Sequence, residues 1–444
     1  MKKTNIGVAA ARCRLRGSQK ELKGQGPMVY LMRRDVRVDD NWSLLRCQEE
    51  ARPVRVVHVV EESHPTYRLA WFYAKGLEDV QNGLKKLKIP FDTVPDIKSL
   101  NDYFVEIDPS GIVADMHTLR EFDLKPVIDM CNKQKLPLWE VDSYNVIPVW
   151  ETSDKQEYAA RTIRSKINKK LDQYLTDIPP TSSNTQDLKG YGKEFNAIEM
   201  LEERWKQSNE IHLRFTPGTN AGREALEEFL SSLAIYDKLR NDPSKDATSN
   251  LSPWFRHGHL SKQRAAYAAR KSKGSSDGFI EELVVRGELS ENFAFYNKDY
   301  DNLNGGPAFG KKTLEDHRND KRPHTYSYEK FENGATHDQL WNAAQKQLVK
   351  EGKMHGFMRM YWAKKVLEWT QSPEQAIEFA VRLNDTYGLD GRDPRGYNGI
   401  LWSITGLHDQ GWRERPIFGK VRYMNYDGCK RKFDIQSYIK QYLK

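Results

Sequence analysis

"MVYLM" (residues 28–32) is a run of five hydrophobic residues, which is typical of a strand buried on both faces of a sheet. A helical pattern begins at Trp42, and a second hydrophobic run, "VRVVHVV", follows at residues 54–60. Helical stretches separate the remaining runs, "FDTV" (91–94), "GIVADM" (111–116) and "LPLWEVDS" (136–143). Hydrophobic strands that alternate with helices are typical of a parallel α/β sheet. We therefore predict an N-terminal α/β domain with a parallel, five-stranded, Rossmann-like sheet.

The alternation of strands and helices ends near Trp150. Residues 151–210 are charged and irregular, and we predict that they form a linking segment. From residue 211 to residue 444 the sequence shows helical periodicity and long loops, without a convincing series of strands. This pattern predicts an all-α C-terminal domain. No GxGxxG motif follows the first predicted strand, so the sequence does not indicate an ordinary dinucleotide site there.

The charge of the chain is positive and unevenly distributed. The 444 residues carry a net charge of +8, which hints at an anionic partner but is weak support by itself. Much of the excess lies in residues 1–27, where Glu21 is the one acidic residue among several lysines and arginines. This segment has little hydrophobic pattern, so we predict that residues 1–27 form a disordered basic tail.

Several classes of protein are disfavoured by what the sequence lacks. The four cysteines are scattered and no CxxC pair occurs, so neither a zinc site nor a disulfide framework is predicted. No HExxH motif or acidic cluster with metal-ligand spacing occurs, and we predict no metal site. There is no apolar stretch of membrane length and no secretory signal, so we predict an intracellular protein without a membrane partner.

The stretch "MHGFMRMYWAKKVLEW" (354–369) contains no proline or strong turn signal, and we predict that it forms a helix. At about 100° per residue, one face of this helix carries His355, Arg359, Trp362, Val366 and Trp369. An arginine within an apolar face needs a partner of opposite charge. Asp390 is a candidate for that partner.

A run of hydroxyl and amide side chains precedes another predicted helix in "DATSNLSPWFRHGHLSKQRA" (246–265). The run contains Thr248, Ser249, Asn250 and Ser252. Such a loop can wrap a phosphate group with its hydroxyls and backbone N–H groups. Loops of this composition more often only cap a helix, and the residues alone leave both interpretations open.

Several long motifs, taken together, resemble class II cyclobutane pyrimidine dimer photolyases of the photolyase/cryptochrome superfamily. They are "MVYLMRRDVRVDDNW" (28–42), "THDQLWNAAQ" (336–345), "KMHGFMRMYWAKKVLEW" (353–369), "DGRDPRGY" (390–397), "LHDQGW" (407–412) and "ERPIFGKVRYMNYDGCKRKF" (414–433). The resemblance implies a light-driven enzyme that repairs ultraviolet-damaged DNA containing pyrimidine dimers. It implies an antenna-type α/β domain over residues 28–150 and a helical, FAD-binding catalytic domain over residues 211–444. Photoexcited FAD, in its reduced and anionic form, would pass an electron to the flipped-out dimer.

The resemblance also implies a set of cofactor-binding residues. Asp390 corresponds to the residue that bonds the flavin ring and pairs with Arg359, and Asn384 to the amide near the reactive ring nitrogen. The implied FAD-binding residues are Tyr236, Thr248, Ser249, Asn250, Leu251, Ser252, Arg359, Asp390 and Gly391.

The resemblance assigns further residues to electron transfer and to DNA. Trp362, Trp341 and Trp369 correspond to an electron relay, in that order from the flavin to the surface, and count with Glu282 and Asn384 as catalytic residues. The implied DNA-binding residues are Arg240, Glu282, Arg286, Met360 and Trp402. Two positions depart from the family's pattern, since Gly287 and Phe309 stand where the family usually has arginine and often has tryptophan.

Two other functions remain as alternatives: a flavin-based blue-light photoreceptor of the cryptochrome type, and a basic DNA-binding protein without catalytic activity. The sequence does not decide whether the α/β domain binds an antenna chromophore, either a deazaflavin or a pterin. We expect a monomer in the nucleus or the cytoplasm, while an organellar or viral setting stays open.

Overall fold

The computed structural model describes residues 9–60, 64–206 and 213–443. The chain divides into two compact units, and each is built from separate stretches of sequence. The first unit comprises Met1–Asp154, Lys166–Glu227 and Pro253–Ser272. The second unit comprises Lys155–Ser165, Glu228–Ser252 and Lys273–Lys444. The division differs from the predicted boundary near residue 211, because later stretches of the chain belong to the first unit.

The first unit contains a six-stranded sheet. Its strands are β1 Cys13–Leu15, β2 Met28–Met32, β3 Val54–Val59, β4 Phe91–Val94, β5 Gly111–Asp115 and β6 Leu138–Val141. Their order in the sheet is β1-β6-β5-β2-β3-β4, and every neighbouring pair is parallel except β1 with β6. All five predicted strands are present. The predicted number of strands is wrong, because β1 adds an antiparallel edge strand.

The additional strand also corrects the prediction of a disordered tail over residues 1–27, of which residues 1–8 lie outside the described residues. The side chain of Arg12 is fully buried, and its guanidinium donates to the backbone oxygens of Asp142, Asn145 and Val146. Arg14 and Arg16, on either side of Leu15, both form ion pairs with Glu140 on β6. These three arginines therefore have acceptors within the fold, and their partners lie more than a hundred residues away in the sequence.

From Trp42 to Lys271 the helices are α1 Trp42–Gln48, α2 Tyr67–Lys86, α3 Ile97–Ile107, α4 Lys125–Gln134, α5 Val149–Thr152, α6 Ala160–Tyr174, α7 Ala197–Trp205, α8 Thr219–Ser231, α9 Leu233–Leu239, α10 Ser252–Arg256 and α11 Lys262–Lys271. The predicted linking segment 151–210 thus contains two well-formed helices, α6 and α7. Ala197 and Leu201 of α7 pack with Trp71 of α2 in one apolar cluster. The segment is therefore part of the fold, because α7 has an apolar face to bury.

The second unit is helical, as predicted. After residue 273 its helices are α12 Asp277–Ile280, α13 Gly287–Tyr296, α14 Ala308–Asp316, α15 Tyr328–Glu332, α16 Gln339–Glu351, α17 Gly356–Glu368, α18 Pro373–Tyr387, α19 Pro394–Thr405, α20 Tyr426–Lys430 and α21 Ile435–Tyr442. A π-helical turn, Glu281–Arg286, joins α12 to α13. The described part of this unit contains one isolated β-bridge, Arg415 with Gly419, and no strand.

Helix α17 lies at the centre of the second unit and confirms the helix predicted over residues 354–369. It begins after His355, whose Nδ1 accepts a hydrogen bond from the backbone N–H of Phe357, and it ends before Trp369. Buried residues lie on every side of it, and it packs against α16, α18 and α19. A helix buried all round forms the core of its domain. Across the described stretches of the chain, no helix combines the length and the apolar composition needed to cross a membrane.

Candidate functional site

A polar network lies on one side of α17 and is centred on Arg359. The Arg359 guanidinium donates from Nη2 to Oδ1 of Asp390 at 2.6 Å and from Nη1 to Oδ1 of Asn384 at 2.7 Å. Its Nε donates to the backbone oxygen of Met354 at 3.1 Å. The structure thus confirms the predicted pairing of Arg359 with Asp390 and also brings Asn384 to the same guanidinium.

The network continues from Asp390 to the predicted phosphate loop, Thr248–Ser252. The second carboxylate oxygen of Asp390 accepts a hydrogen bond from the hydroxyl of Ser252 at 2.7 Å. Burial alone would raise the pKa of Asp390, but the charges of Arg359 and Lys353 and the Ser252 hydroxyl together lower that pKa below its usual value. Asp390 is therefore ionised at neutral pH, and it connects α17 to the loop.

The phosphate loop has the composition and the backbone geometry of an anion site. Asn250 is in the left-handed region with φ 54°, and Leu251 anchors the loop with a fully buried side chain. The Thr248 hydroxyl donates to Oδ1 of Asn250 at 3.0 Å. The backbone N–H groups of Ser249, Asn250 and Leu251 donate to no other residue that the structure describes. A loop with unused backbone donors and a left-handed residue suits a phosphate group.

Gly391 is required by close packing beside this network. A Cβ at Gly391 would lie 2.9 Å from both the backbone oxygen of Asn384 and the Cα of Asp385. The turn that follows α18 therefore closes on the end of that helix only with glycine at this position. This contact keeps Asp390 within reach of Arg359. Whether Gly391 also contacts a cofactor stays a prediction.

The three predicted relay residues lie in one row, with Trp341 in the middle. The rings of Trp362 and Trp341 are almost parallel, at 7°, and their centroids are 6.2 Å apart. The centroids of Trp341 and Trp369 are 6.1 Å apart, with the rings at 65°. Nε1 of Trp341 donates to the backbone oxygen of Trp362, and Nε1 of Trp362 donates to Oε1 of Gln345, both at 3.0 Å. Trp341 therefore lies between Trp362 and Trp369, and the end of the row that is nearer to a flavin stays a prediction.

The outer end of this row differs from the prediction, because Trp369 does not lie at the surface. Its side chain is only 2% exposed. Tyr326 and His337 cover it, with ring centroids 5.9 Å and 4.8 Å from the indole. Residues on either side of α15 therefore shield Trp369 from solvent.

A second polar group lies at the π-helical turn and is centred on Glu282. Its Oε1 accepts a hydrogen bond from Nη1 of Arg240 at 2.8 Å, and its backbone oxygen accepts from Nη2 of Arg395 at 2.9 Å. The Glu282 side chain is 35% exposed, so the carboxylate also faces solvent. Tyr236 lies beside this group, under the guanidinium of Arg240, and its ring packs on Phe279. The structure thus places Tyr236 next to Arg240, and the predicted contact of Tyr236 with a cofactor stays a prediction.

Glu282 lies in the π-helical turn Glu281–Arg286 and pairs with Arg240 from there. The extra residue in such a turn bulges a helix, and bulges of this kind are frequent at functional sites. Gly278, one helical turn earlier, lets α12 approach α9 closely, since a Cβ there would lie 1.6 Å from Oδ1 of Asp237. The turn produces no regular hydrophobic periodicity in the sequence, so the sequence does not predict it.

The other predicted DNA residues have different surroundings. Arg286 is 46% exposed and pairs with Glu281, which also accepts two hydrogen bonds from Arg164. Met360 is half-buried on α17. Trp402 is half-buried on α19, and the Nζ of Lys364 lies 4.7 Å from the centroid of its ring. These side chains are accessible, but the structure does not join them to Glu282 in one network.

Lys364 is a buried charge that sequence analysis missed. Its side chain is fully buried on α17, and its Nζ donates to the backbone oxygen of Ser403 at 2.9 Å. Burial lowers the pKa of Lys364 to about 7; Asp409 opposes this change and Arg422 adds to it. The only signal in the sequence is a lysine within the hydrophobic run of the helix.

The lowered pKa of Lys364 predicts a pH-dependent stability. In the unfolded chain the lysine keeps its proton up to about pH 10.4, so between pH 7 and that value the unfolded state binds more protons and folding gains stability as pH rises. In this range we expect the free energy of unfolding of Lys364→Met to fall, relative to that of wild type, by about 1 kcal/mol for each pH unit. Urea unfolding at pH 7, 8 and 9 measures the difference. A difference that stays constant with pH would contradict the lowered pKa, and Lys346→Met, which replaces an exposed lysine, is the control for the substitution itself.

Comparisons with known proteins agree with this arrangement. Residues 28–183 match the family model described as DNA photolyase. The deoxyribodipyrimidine photo-lyase of Potorous tridactylus is 47% identical over 427 residues, covering 92% of this chain and 80% of that protein. That of Arabidopsis thaliana is 43% identical over 462 residues, covering 98% of this chain and 93% of that protein. The crystal structure of a photolyase from Sulfolobus tokodaii with two FAD molecules has a TM-score of 0.74 at 17% identity, covering 94% and 90% of the two chains. This last likeness concerns the fold alone.

Proposed function

The chain belongs to the DNA photolyase family, and on this basis we propose that it is a class II deoxyribodipyrimidine photo-lyase, a light-driven carbon–carbon lyase that repairs cyclobutane pyrimidine dimers in DNA. The observation that carries the proposal is the position of two groups on one helix. Helix α17 holds Arg359 in the polar network and Trp362 in the row of indoles. A site that binds a charged redox cofactor and supplies it with electrons needs both groups.

FAD is the cofactor that these residues fit. In the loop Thr248–Ser252, the backbone N–H groups of Ser249, Asn250 and Leu251 donate to no other described residue and would bind the two phosphates. Arg359 and Asp390 supply a donor and an acceptor for the edge of a flavin ring. When bound in its reduced form, FAD supplies the light-driven electron that splits the dimer.

The residues around the flavin would bind it and set its charge. The Arg359 guanidinium is a positively charged donor, so it favours a negatively charged ligand beside it. Its pairing with Asp390 fixes the direction of the guanidinium at low entropic cost. Asn384 contributes a neutral amide that can both donate and accept a hydrogen bond. These properties suit the anionic reduced flavin.

On the DNA side, Glu282 would bond the edge of a flipped-out base. The carboxylate is held by Arg240 and partly exposed, so it can accept from a ring N–H of thymine. Met360 and Trp402 are half-buried and would contact the dimer through apolar surface. Arg240 and Arg286 would contribute contacts that depend on salt but not on sequence.

The indole row would supply the electrons that keep the cofactor reduced. Indole is a side chain that can be oxidised transiently, and the three rings are within about 6 Å of their neighbours, at 6.2 Å and 6.1 Å. Burial of all three rings excludes water from the row. Electron transfer along Trp369, Trp341 and Trp362 is thus the role that the geometry favours.

The test is blue-light repair of an oligonucleotide with one thymine dimer, by protein that has first been reduced chemically. We expect wild type to repair it and Glu282→Ala to bind the dimer about tenfold to a hundredfold less tightly, since a hydrogen bond to a charged group contributes about 1.5–3 kcal/mol. Glu281→Ala, one residue away in the same turn, is the matched control and should keep repair. Equal dimer affinity in Glu282→Ala and wild type would remove Glu282 from the site.

Two alternatives have distinct outcomes in the same experiments. A photoreceptor of the cryptochrome type would bind flavin but leave the dimer intact, so the absence of repair by reduced wild type favours it. A basic DNA-binding protein without a cofactor would purify without flavin absorption bands. The partly exposed Glu282 carboxylate, which Arg240 holds, favours repair over both alternatives, because it suits a base edge.

We further propose a monomer that acts on DNA in the nucleus or the cytoplasm, in keeping with the net charge of +8. We also propose that the first unit binds a second, antenna chromophore, either a deazaflavin or a pterin. Parallel sheets bind ligands at the carboxyl ends of their strands, and this unit contains such a sheet. An absorption band in addition to those of flavin would identify this chromophore.

A further inference from the structure

The amide of Asn384 is held from two sides by groups of opposite character. Its Oδ1 accepts a hydrogen bond from Nη1 of Arg359 at 2.7 Å. Its Nδ2 donates to Oδ1 of Asp385 at 2.8 Å. Asn384 is 4% exposed, so neither side of the amide relies mainly on water. The two contacts together determine which end of the amide faces which neighbour.

The reverse orientation of the amide is excluded by chemistry. A flipped amide would turn its NH₂ group toward Arg359, which carries only donors, and its oxygen toward the carboxylate of Asp385, which carries only acceptors when ionised. Two unpaired contacts of this kind in a buried site each cost about 1–3 kcal/mol. The orientation therefore follows from the partners and does not depend on how the amide atoms are assigned.

Asp385 is itself held as an acceptor on both oxygens. Its Oδ1 also accepts from the backbone N–H of Arg392 at 2.8 Å, and its Oδ2 accepts from the hydroxyl of Tyr397 at 2.9 Å. Burial raises the pKa of Asp385, while the donors from Arg392, Asn384 and Tyr397 oppose that change. Because every neighbour is a donor, the group acts as a carboxylate. Asp385 and Arg359 therefore contact opposite ends of the Asn384 amide.

We propose that Asp385 is a positioning residue, which sets the amide orientation of Asn384 toward the flavin and thereby the balance between oxidised and reduced cofactor. This inference rests on the proposed function, because Asn384 is placed near the flavin there. With Arg359 on its oxygen and Asp385 on its nitrogen, the amide keeps one N–H and one lone pair for a ligand. Asp385 itself does not need to touch the cofactor.

The space around the amide is narrow and keeps the plane of the amide in place. Gly396, at the start of α19, lies so close that a Cβ there would be 3.0 Å from Nδ2 of Asn384. The amide thus lies between α17, the end of α18 and the start of α19, with little room to rotate. Loss of the carboxylate is the change that would free it.

The test is a double-mutant cycle with Asp385→Asn and Asn384→Leu, read as the ratio of oxidised to reduced bound flavin at a fixed ambient potential. In Asp385→Asn the oxygen that faces the backbone N–H of Arg392 can still accept from Asn384, but it is neutral and therefore holds the amide less strongly than the carboxylate does. We expect this ratio to change about fivefold to tenfold, the equivalent of one ordinary hydrogen bond. In the Asn384→Leu background, Asp385→Asn should change the ratio less than twofold.

Tyr397→Phe is the control, because it removes the donor to Oδ2 but leaves Oδ1 for Asn384. We expect the ratio for this variant to stay within about twofold of wild type, since a hydrogen bond one step removed contributes little. A purely structural role of Asp385 would be additive, so Asp385→Asn would then change the flavin ratio equally with and without the Asn384 amide. That result would overturn the proposal. An unchanged ratio in Asp385→Asn would overturn it as well.

A second measurement needs no variant of Asp385. In wild type labelled with ¹⁵N-asparagine, one side-chain N–H of Asn384 should be shifted downfield and protected from exchange, with Asn384→Leu identifying the signal. Two N–H protons of equal exchange rate would overturn the orientation even if Asp385→Asn fails to fold. If wild type purifies without flavin, the proposed function fails, while this signal still decides whether the Asn384 amide is held in one orientation.

Discussion

Replacing Trp341 with phenylalanine is expected to reduce the photoreduction of oxidised FAD to background. Trp341 is the middle ring of the row, with centroids 6.2 Å and 6.1 Å from those of Trp362 and Trp369. Phenylalanine keeps a ring in place but is much harder to oxidise than indole, so electrons from Trp369 no longer reach Trp362. The flavin absorbance of oxidised protein, recorded under blue light with an external reductant, measures this loss.

Two controls separate electron transfer from packing. Trp341→Phe also loses the hydrogen bond from Nε1 to the backbone oxygen of Trp362, which costs about 1 kcal/mol of stability. Trp254→Phe loses an equivalent hydrogen bond, to the backbone oxygen of Thr216, without touching the row, and should photoreduce normally. Chemically reduced Trp341→Phe should still repair the dimer. Normal photoreduction in Trp341→Phe would remove this residue from the relay.

Replacing Arg359 with leucine is expected to prevent FAD binding and to destabilise the helical unit. Asp390 would keep its negative charge in a site where its side chain is only 14% exposed, and it would lose its strongest partner. Removing one partner of a buried ion pair costs about 3–5 kcal/mol. The flavin-to-protein absorbance ratio and the free energy of unfolding in urea measure the two effects.

The double variant Arg359→Leu with Asp390→Leu distinguishes the two roles of this pair. Replacing both charges with apolar side chains removes the uncompensated carboxylate, and such replacements are often neutral for stability. We therefore expect the double variant to regain most of the stability and still to lack flavin. A double variant that binds FAD as wild type does would show that the pair is structural.

The fold was predictable to the extent that hydrophobic pattern determines it. The five parallel strands were found because each is a hydrophobic run between turn residues, and α17 because no turn signal interrupts it. Strand β1 escaped detection because it is three residues long and lies among charges. Its stability depends on Arg12, whose carbonyl acceptors follow β6 and cannot be inferred from local sequence.

The candidate site was predictable only in part, for a similar reason. An arginine in an apolar face needs a partner of opposite charge, and for this reason the sequence predicts that Asp390 pairs with Arg359. The hydrogen bonds of Asp385 and the burial of Lys364 depend on three helices that meet, and no spacing in the sequence reports that meeting. The π-helical turn at Glu282 likewise cannot be predicted from regular hydrophobic periodicity.

The interleaved course of the chain has a consequence for how the protein is made. The stretch Pro253–Ser272 belongs to the sheet unit, and its Gln263 accepts hydrogen bonds from Arg12 and from the indole of Trp42. Gln263 lies 251 residues after Arg12 in the sequence. The sheet unit therefore cannot complete its folding on the ribosome until this later stretch has been synthesised. A fragment that ends at residue 210 would leave a buried guanidinium without one of its acceptors. Genetic exchange of the sheet unit between relatives therefore requires at least two separate segments to move together.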